Sequence, residues 1–361
     1  VTPSKLIQSL QSSDIKPPRI LTLAITGACN LSCHHCWVNA GGSSPAADVP
    51  LATLHQIVSE CAALGAEGIR ITGGEPLCHP HWLDILQQCR TLKFKTLALQ
   101  TNGMLLHDEH CAALRALDFP GLSIQISLGG ASSANHDLVR GEGSFKAALQ
   151  GIEKLVQHGL GQRVSIFFTE MRHNLGDIPE LLDLANRIGV GAVTTGAMVR
   201  CGRAAETSLL VPPGIEQYQA LLKRYEDDAH FRQLYAKHGT VAAIEWQSGD
   251  AVRAECCTFI ENPYLTPLGR LYPCLLCHTD EFSVSDVFAK GLTTALYEGM
   301  PLWESLLRIS RQRTDALSEC QECSGKQRCG GGCMGRAQGS LGELLAVDDR
   351  CEVRRSIYHQ L

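Results

Sequence analysis

The stretch Ile20-Leu21-Thr22-Leu23-Ala24-Ile25-Thr26-Gly27-Ala28-Cys29-Asn30-Leu31-Ser32-Cys33-His34-His35-Cys36 decides how the chain is to be read. Its first seven residues are β-branched or apolar and predict a strand over 20–26. Three cysteines in the pattern CxxxCxxC follow directly, which puts the thiols on the loop leaving the C-terminal end of that strand. In folds built from βα units that end is where active sites assemble. Three thiolates at this spacing can hold three irons of a 4Fe-4S cluster and leave the fourth open to a substrate or cofactor. A structural zinc site is the alternative, with His34 or His35 completing a closed tetrahedral set.

Outward from this stretch, β-rich runs alternate with amphipathic helical patterns, the mark of stacked βα units around a parallel sheet. Strands are predicted at 20–26, 68–72, 95–100, 122–127, 163–168 and 190–196. Helices are predicted at 51–64, 81–92, 108–117, 144–158 and 177–188, the last stopped by Gly189. Right-handed crossovers then close an α/β fold, a partial (β/α)6 TIM-like barrel. Beyond Gly196 the alternation ceases. A helical stretch over 213–230 leads to a Gly-, Cys- and Pro-rich segment from Glu255, where only a short helix at 302–310 is expected. So little apolar material predicts that metal must hold this segment in shape. The expected domains are an N-terminal extension (1–19), the barrel (20–200), a helical bridge (201–254) and a C-terminal cysteine-rich domain (255–361).

Of 361 residues, 44% are hydrophobic and 19% charged, which predicts a compact globular protein rather than a disordered one. A formal charge of −5 argues against nucleic acid as a partner. No run reaches the roughly 20 apolar residues of a membrane span, and the start lacks a signal-peptide layout. Seventeen cysteines without an export signal suggest metal or redox chemistry in a reducing cytoplasm.

Gly73-Gly74-Glu75-Pro76 follows the second predicted strand, again at the barrel mouth. There glycines permit close backbone approach and a carboxylate can meet an ammonium group. In register with CxxxCxxC, this motif resembles the radical S-adenosylmethionine (radical SAM) superfamily. The resemblance implies that Cys29, Cys33 and Cys36 hold the catalytic 4Fe-4S cluster, whose open iron takes the amino and carboxylate groups of SAM, and that Gly73, Gly74 and Glu75 contact that amino group. It further implies that Asn102 and Ser127, at the ends of the third and fourth strands, line the SAM and substrate site, and that Arg140 pairs with the SAM carboxylate. One departure is visible: many relatives read Ser-Leu-Asp-Gly where this chain reads Ser127-Leu128-Gly129-Gly130.

The tail reads Cys320-x2-Cys323-x5-Cys329-x3-Cys333-x17-Cys351, preceded by Gly269-x4-Cys274 and by Cys256-Cys257. This string resembles the SPASM domain, which carries two auxiliary 4Fe-4S clusters. That resemblance implies one cluster on Cys320, Cys323, Cys329 and Cys351. The other takes Cys274, Cys333 and a ligand from the Cys256–Cys257 pair; either Cys277 completes its ligation, the favoured expectation, or the cluster keeps an exchangeable iron that binds substrate. Three clusters and SAM are therefore the expected cofactors. Gly330, Gly331 and Gly332 suit a backbone wrapped tightly round sulfide.

Among the scattered thiols, Cys61, Cys89 and Cys111 read as small buried hydrophobes. Cys78 and Cys201, placed just after GGEP and the sixth strand, are candidate proton or hydrogen-atom donors. The expected chemistry is one-electron reduction of SAM to methionine and a 5′-deoxyadenosyl radical that removes hydrogen from a substrate carbon. The SPASM resemblance implies oxidative modification of a ribosomally made precursor peptide, by C–C, C–O or thioether bond formation. Leader binding is then expected to use either the core or a separate leader-binding protein, because about nineteen residues before the first strand are too few for a fused leader-recognition domain, and a reductant such as flavodoxin or ferredoxin is a further expected partner. Formylglycine formation on sulfatases fits less well, since such enzymes carry an aspartate where this chain has Leu275. The alternatives are a radical SAM step in tetrapyrrole or quinone cofactor synthesis and, from another class, a non-catalytic iron–sulfur electron carrier.

Overall fold

The computed structural model describes residues 1–41, 48–249 and 260–359. Nine strands form one sheet: β1 (Ile20–Ala24), β2 (Gly68–Thr72), β3 (Thr96–Thr101), β4 (Leu122–Ser127), β5 (Val164–Glu170), β6 (Ala192–Ala197), β7 (Gly239–Thr240), β8 (Tyr264–Leu265) and β9 (Leu271–Tyr272), in the order β7-β6-β5-β4-β3-β2-β1-β8-β9. β1 pairs parallel with β2, and β4 through β7 pair parallel in sequence. β1 to β6 are the six expected strands, each followed by a helix on the chain. Along β4 the residues alternate between buried and half-exposed, so Leu122, Ile124 and Ile126 feed the core while Gln125 and Ser127 face the other way.

Three sequence expectations need correction. The 213–230 helix is two helices, Ile215–Asp227 and Ala229–His238, because the Asp228 side chain accepts the N–H groups of His230 (2.9 Å) and Phe231 (3.0 Å) and starts a second helix. The N-terminal extension carries a helix, Pro3–Ser12, capped by Thr2 and begun by proline, which buries Leu6 and Leu10. The tail is richer in helix and core than its composition suggested. Leu292–Glu298 and Met300–Ala316 are helices, and Leu296, Trp303 and Leu306 are buried, with the Trp303 indole donating to the Leu296 carbonyl at 3.0 Å. Short apolar periods broken by Gly and Pro hid these helices. The tail also supplies strands: β8 pairs parallel with β1 and antiparallel with β9.

The chain forms two compact units. Among the described residues one comprises 1–29, 48–98 and 260–351, the other 30–41, 99–249 and 352–359. The first therefore contains β1, β2, the β8–β9 hairpin and the cysteine-rich tail up to Cys351; the second contains β4 to β7 with their helices.

Candidate functional site

In the first unit the loop after β1 and the loop after β2 run against each other. Gly74 N–H donates to the Thr26 carbonyl (2.8 Å) and Glu75 N–H to the Ala28 carbonyl (2.7 Å). A Cβ on Gly73 would stand 2.7 Å from the Thr26 carbonyl oxygen, and one on Gly74 would stand 2.2 Å from that of Ala28, so no larger residue fits while these bonds persist. Glu75 is buried, and its carboxylate accepts the N–H of Leu77 (3.2 Å), capping the 3-10 turn Pro76–Cys78. Cys78 is half-buried on this turn. The glycines thus lock the Glu75 segment to the residues immediately preceding Cys29.

In the second unit Cys33 is buried, while Cys36 is half-buried and its sulfur accepts the Ala40 N–H at 3.3 Å. Arg140, closing the helix Ser133–Arg140, places Nη1 4.0 Å from the Cys33 sulfur and Nη2 3.2 Å from His35 Nε2. Burial pushes the Cys33 thiol up; Arg140 and Arg203 oppose it, and Cys36 adds to it. His35 is held well below the usual histidine range by burial first and then by the Arg140 and His136 charges, so its ring is neutral. Its Nε2 lone pair accepts from Arg140, which leaves the proton on Nδ1. His136 is lowered to about 3, by burial and then by Arg140, against the pull of Asp137, and its Nδ1 accepts the Gly129 N–H at 3.0 Å.

Gly129 is the position at which the resemblance leads to the expectation of an aspartate. A Cβ there would stand 3.9 Å from Arg140 Nε, and that buried Nε has no hydrogen-bond partner. A carboxylate at 129 would sit beside the guanidinium; its absence leaves a buried donor of a fixed cation to be met by something else.

Asn102 is buried with both ends engaged. Its Nδ2 donates to Asn30 Oδ1 (2.8 Å), inside the cysteine loop, and its Oδ1 accepts the Met104 N–H (3.0 Å). Ser127 ends β4 half-exposed, in register with Phe167. Cys201 is half-buried, and the next two residues grip the cysteine loop. A Cβ on Gly202 would meet the Cys36 carbonyl oxygen at 2.7 Å, while Arg203 donates to the carbonyls of Cys33 (2.9 Å) and Ala40 (2.6 Å). Sequence reading missed Arg203; the signal available was an arginine just past the sixth strand. It also missed Glu170, buried at the C-terminal end of β5, which accepts hydrogen bonds from Thr195 Oγ1 (2.6 Å) and Tyr218 OH (2.7 Å).

In the tail, Cys320, Cys323 and Cys329 are near enough that the latter two raise the Cys320 thiol, after burial, while Arg313 lowers it. Gly330, Gly331 and Gly332 all lie in the left-handed region, at φ 64°, 77° and 75°, which favours glycine at each, and the N–H groups of Gly330 and Gly332 donate to the carbonyls of Lys326 (3.1 Å) and Cys329 (3.4 Å). Cys274 is half-buried and Cys277 buried. A Cβ on Gly335 would stand 2.5 Å from the Leu276 carbonyl oxygen and 3.0 Å from Cys277 N, so the helix that Cys333 begins is pressed onto the Cys274–Cys277 turn. Cys256 and Cys257 lie outside the described residues. Cys61, Cys89 and Cys111 are fully buried, and burial pushes their thiols up, to about 12 for Cys89 and about 11 for Cys111, as inert core thiols require.

Among the described residues no three His, Cys, Asp or Glu side chains are gathered as one metal ion would need them. A cubane cluster asks for something else: each thiolate binds its own iron, so the ligands stand apart around a larger body. Thiols on several neighbouring turns, left-handed glycines between them and arginines beside Cys33 and Cys320 fit such a group.

Residues 23–185 match the radical SAM superfamily. The chain is 27% identical over 338 residues to the mycofactocin maturase MftC of Mycobacterium ulcerans, covering 91% of this chain and 86% of that one. It is 25% identical over 354 residues to the AdoMet-dependent heme synthase of Methanosarcina barkeri, covering 93% and 97%. In fold it is similar to Streptococcus suis SuiB bound to S-adenosylmethionine, with a TM-score of 0.72 at 16% identity, covering 96% of this chain and 80% of that one. Strand order, cysteine loop and glycine motif are those of a radical SAM domain, which the chain carries over residues 23–185. The order of cysteines in the tail resembles that of SPASM-type enzymes, and the chain is similar along most of its length to a maturase. A SAM-binding 4Fe-4S cluster and SAM itself belong to its chemistry.

Proposed function

We propose that this enzyme modifies a ribosomally made precursor peptide oxidatively, forming a C–C, C–O or thioether bond at a side chain. The observation that carries the reading is the pairing of a CxxxCxxC loop and GGEP motif with a nine-cysteine tail of SPASM order, in a chain related along most of its length to a maturase. Cofactor and cluster supply reductive cleavage of SAM to a 5′-deoxyadenosyl radical, which takes hydrogen from the substrate. The chain's own residues do the rest. Cys29, Cys33 and Cys36 hold the catalytic cluster, and Gly73, Gly74 and Glu75 receive the SAM amino group. Arg140 pairs with the SAM carboxylate through donors that His35 leaves available. Asn102 fixes the cysteine loop, Ser127 lines the SAM and substrate site, and Cys78 or Cys201 is the candidate proton or hydrogen-atom donor.

Cys320, Cys323, Cys329 and Cys351 would hold one auxiliary cluster, and Cys274, Cys333, Cys277 and one of Cys256 and Cys257 the other, groups that would supply an acceptor for the electron left on the substrate. Residues 20–200 then form the catalytic barrel, 201–254 the bridge and 255–361 the auxiliary-cluster domain. A reducing cytoplasm, a flavodoxin- or ferredoxin-type reductant and leader binding by the core or by a separate protein complete the setting. No helix among the described residues is long and apolar enough to cross a membrane.

Anaerobic reconstitution with dithionite and SAM tests the reading. Release of 5′-deoxyadenosine by the wild type and its loss in Cys33→Ala are expected, together with a mass change in a co-expressed candidate peptide. A peptide modification that survives Cys33→Ala overturns it. The second reading, a step in tetrapyrrole synthesis, is favoured by the heme synthase relative; turnover of a tetrapyrrole and not of any peptide would establish it.

A further inference from the structure

The tail contains a buried cation that the reaction as described does not use. Arg313, on the helix Met300–Ala316, is fully buried. Its Nε and Nη2 donate to the Gly331 carbonyl (3.2 and 2.7 Å), Nη2 also to that of Ala346 (2.7 Å), and Nη1 to that of Leu344. No carboxylate among the described residues pairs with it. A guanidinium buried against carbonyl dipoles alone is costly, because desolvation of a full charge is only partly offset by neutral acceptors. Such a charge requires an anion nearby.

The segments it ties identify that anion. Gly331 is the middle of the left-handed glycine run between Cys329 and Cys333, and a Cβ there would stand 3.0 Å from Arg313 Cβ. Leu344 and Ala346 belong to the loop that leads to Cys351, and Arg313 lies seven residues before Cys320 on the same chain. One side chain therefore bonds two of the segments that present the thiols of Cys320, Cys323, Cys329 and Cys351, and its own helix leads into the third. Four thiolates outweigh the positive charge of a 4Fe-4S core, so that site is net anionic and becomes more so on reduction.

The structure assigns Arg313 as the built-in counter-cation of the Cys320/Cys323/Cys329/Cys351 cluster, a positioning residue that holds the two ligand loops and raises the reduction potential of the cluster they carry. The assignment rests on the auxiliary-cluster reading above. A fixed positive charge in a low-dielectric surround favours the more negative, reduced state, and nothing has to reorganise when the electron arrives.

Iron and sulfide per chain, followed by an EPR-monitored redox titration, test it on full-length reconstituted protein. The wild type is measured first: iron for one cluster only would overturn the auxiliary-cluster reading and this assignment with it. Given the full complement, Arg313→Gln is expected to move one auxiliary signal to a more negative midpoint while the SAM-binding signal stays in place. Arg313→Lys, which keeps the charge with fewer donors, is expected to restore most of the shift. An unmoved midpoint in Arg313→Gln, or an equal shift in both variants, would overturn the assignment. Should Arg313→Gln lose iron, Arg313→Lys decides alone: full iron and a midpoint near wild type supports the role, and lost iron or a lowered midpoint refutes it.

Discussion

The carboxylate of Asp348 accepts the backbone N–H of Cys333 at 2.7 Å, and with its other oxygen takes the N–H of Arg350 at 3.0 Å. Its own carbonyl accepts the Cys351 N–H at 3.0 Å. Asp348 is buried, so one residue sets the distance between turns that present ligands to two different proposed clusters. Charge-assisted bonds of this kind are the stronger ones, and deleting one partner leaves buried donors unmet. Asp348→Ala is expected to destabilise the chain by about 2 kcal/mol and to lower iron retention after reconstitution. Asp348→Asn, which presents one oxygen and one donor to two N–H groups, should fall between. Iron content and urea midpoints check the order.

The contact between Gly74 and Ala28 predicts a sharp contrast between glycines. Gly74→Ala puts a Cβ 2.2 Å from a carbonyl oxygen on the segment before Cys29. Backbone must move, at a cost of about 1–3 kcal/mol, and 5′-deoxyadenosine release should drop at least tenfold. Gly176→Ala, where nothing lies within 4 Å, should leave both unchanged. Thermal unfolding and product assay on the two variants measure the difference.

Arg140 should matter through geometry as well as charge. Hydrogen bonds to a carboxylate contribute about 1.5–3 kcal/mol, or ten- to a hundredfold in affinity. Arg140→Gln is therefore expected to raise the KM for SAM by that factor. Arg140→Lys should recover only part, since an ammonium cannot reach His35 and a carboxylate in one plane. Gly129→Asp should also weaken SAM binding, because the new carboxylate would lie beside Arg140 Nε and compete for it. Full SAM affinity in Gly129→Asp would show that Nε serves another group.

Buried neutral histidines predict acid sensitivity. The folded pKa of His136, about 3, lies below the usual 6.5, so as pH falls below 6.5 the unfolded chain takes up a proton that the folded chain refuses. The stability from this group is complete above pH 6.5 and is lost as pH falls toward 3, by up to about 1.4 kcal/mol per pH unit. His35 shifts in the same direction. His136→Asn should be less stable than wild type at pH 7, and the gap should shrink by about 2 kcal/mol by pH 5. Urea midpoints at the two pH values test the sign.

Much of the fold was readable without coordinates because its elements are local. Each barrel strand is a short β-branched run, and glycine ends the helix Ile178–Ile188 at Gly189, with φ 83°. The cysteine loop, GGEP and the tail cysteines were likewise legible, because thiol spacing along the chain is constrained by the body the thiols surround. What could not be read were elements whose apolar period is short or broken. Met300–Ala316, expected only over 302–310, and its partner helix bury several side chains at broken spacing, Leu296, Trp303 and Leu306 among them, and β8 is two residues long and pairs with the edge that β1 offers.

Taken alone, the sequence determined the class of chemistry: which atoms are available, in what order, and on the outgoing end of which strands. Tertiary structure decided how those atoms are held. Arg140 meets Cys33 and His35 across more than a hundred residues, Arg203 bonds the Cys33 carbonyl from farther still, and Arg313 bridges Gly331 and Ala346. An arginine's role depends on which acceptors surround it once water is gone. That is a property of burial and packing, and no spacing along the chain encodes it.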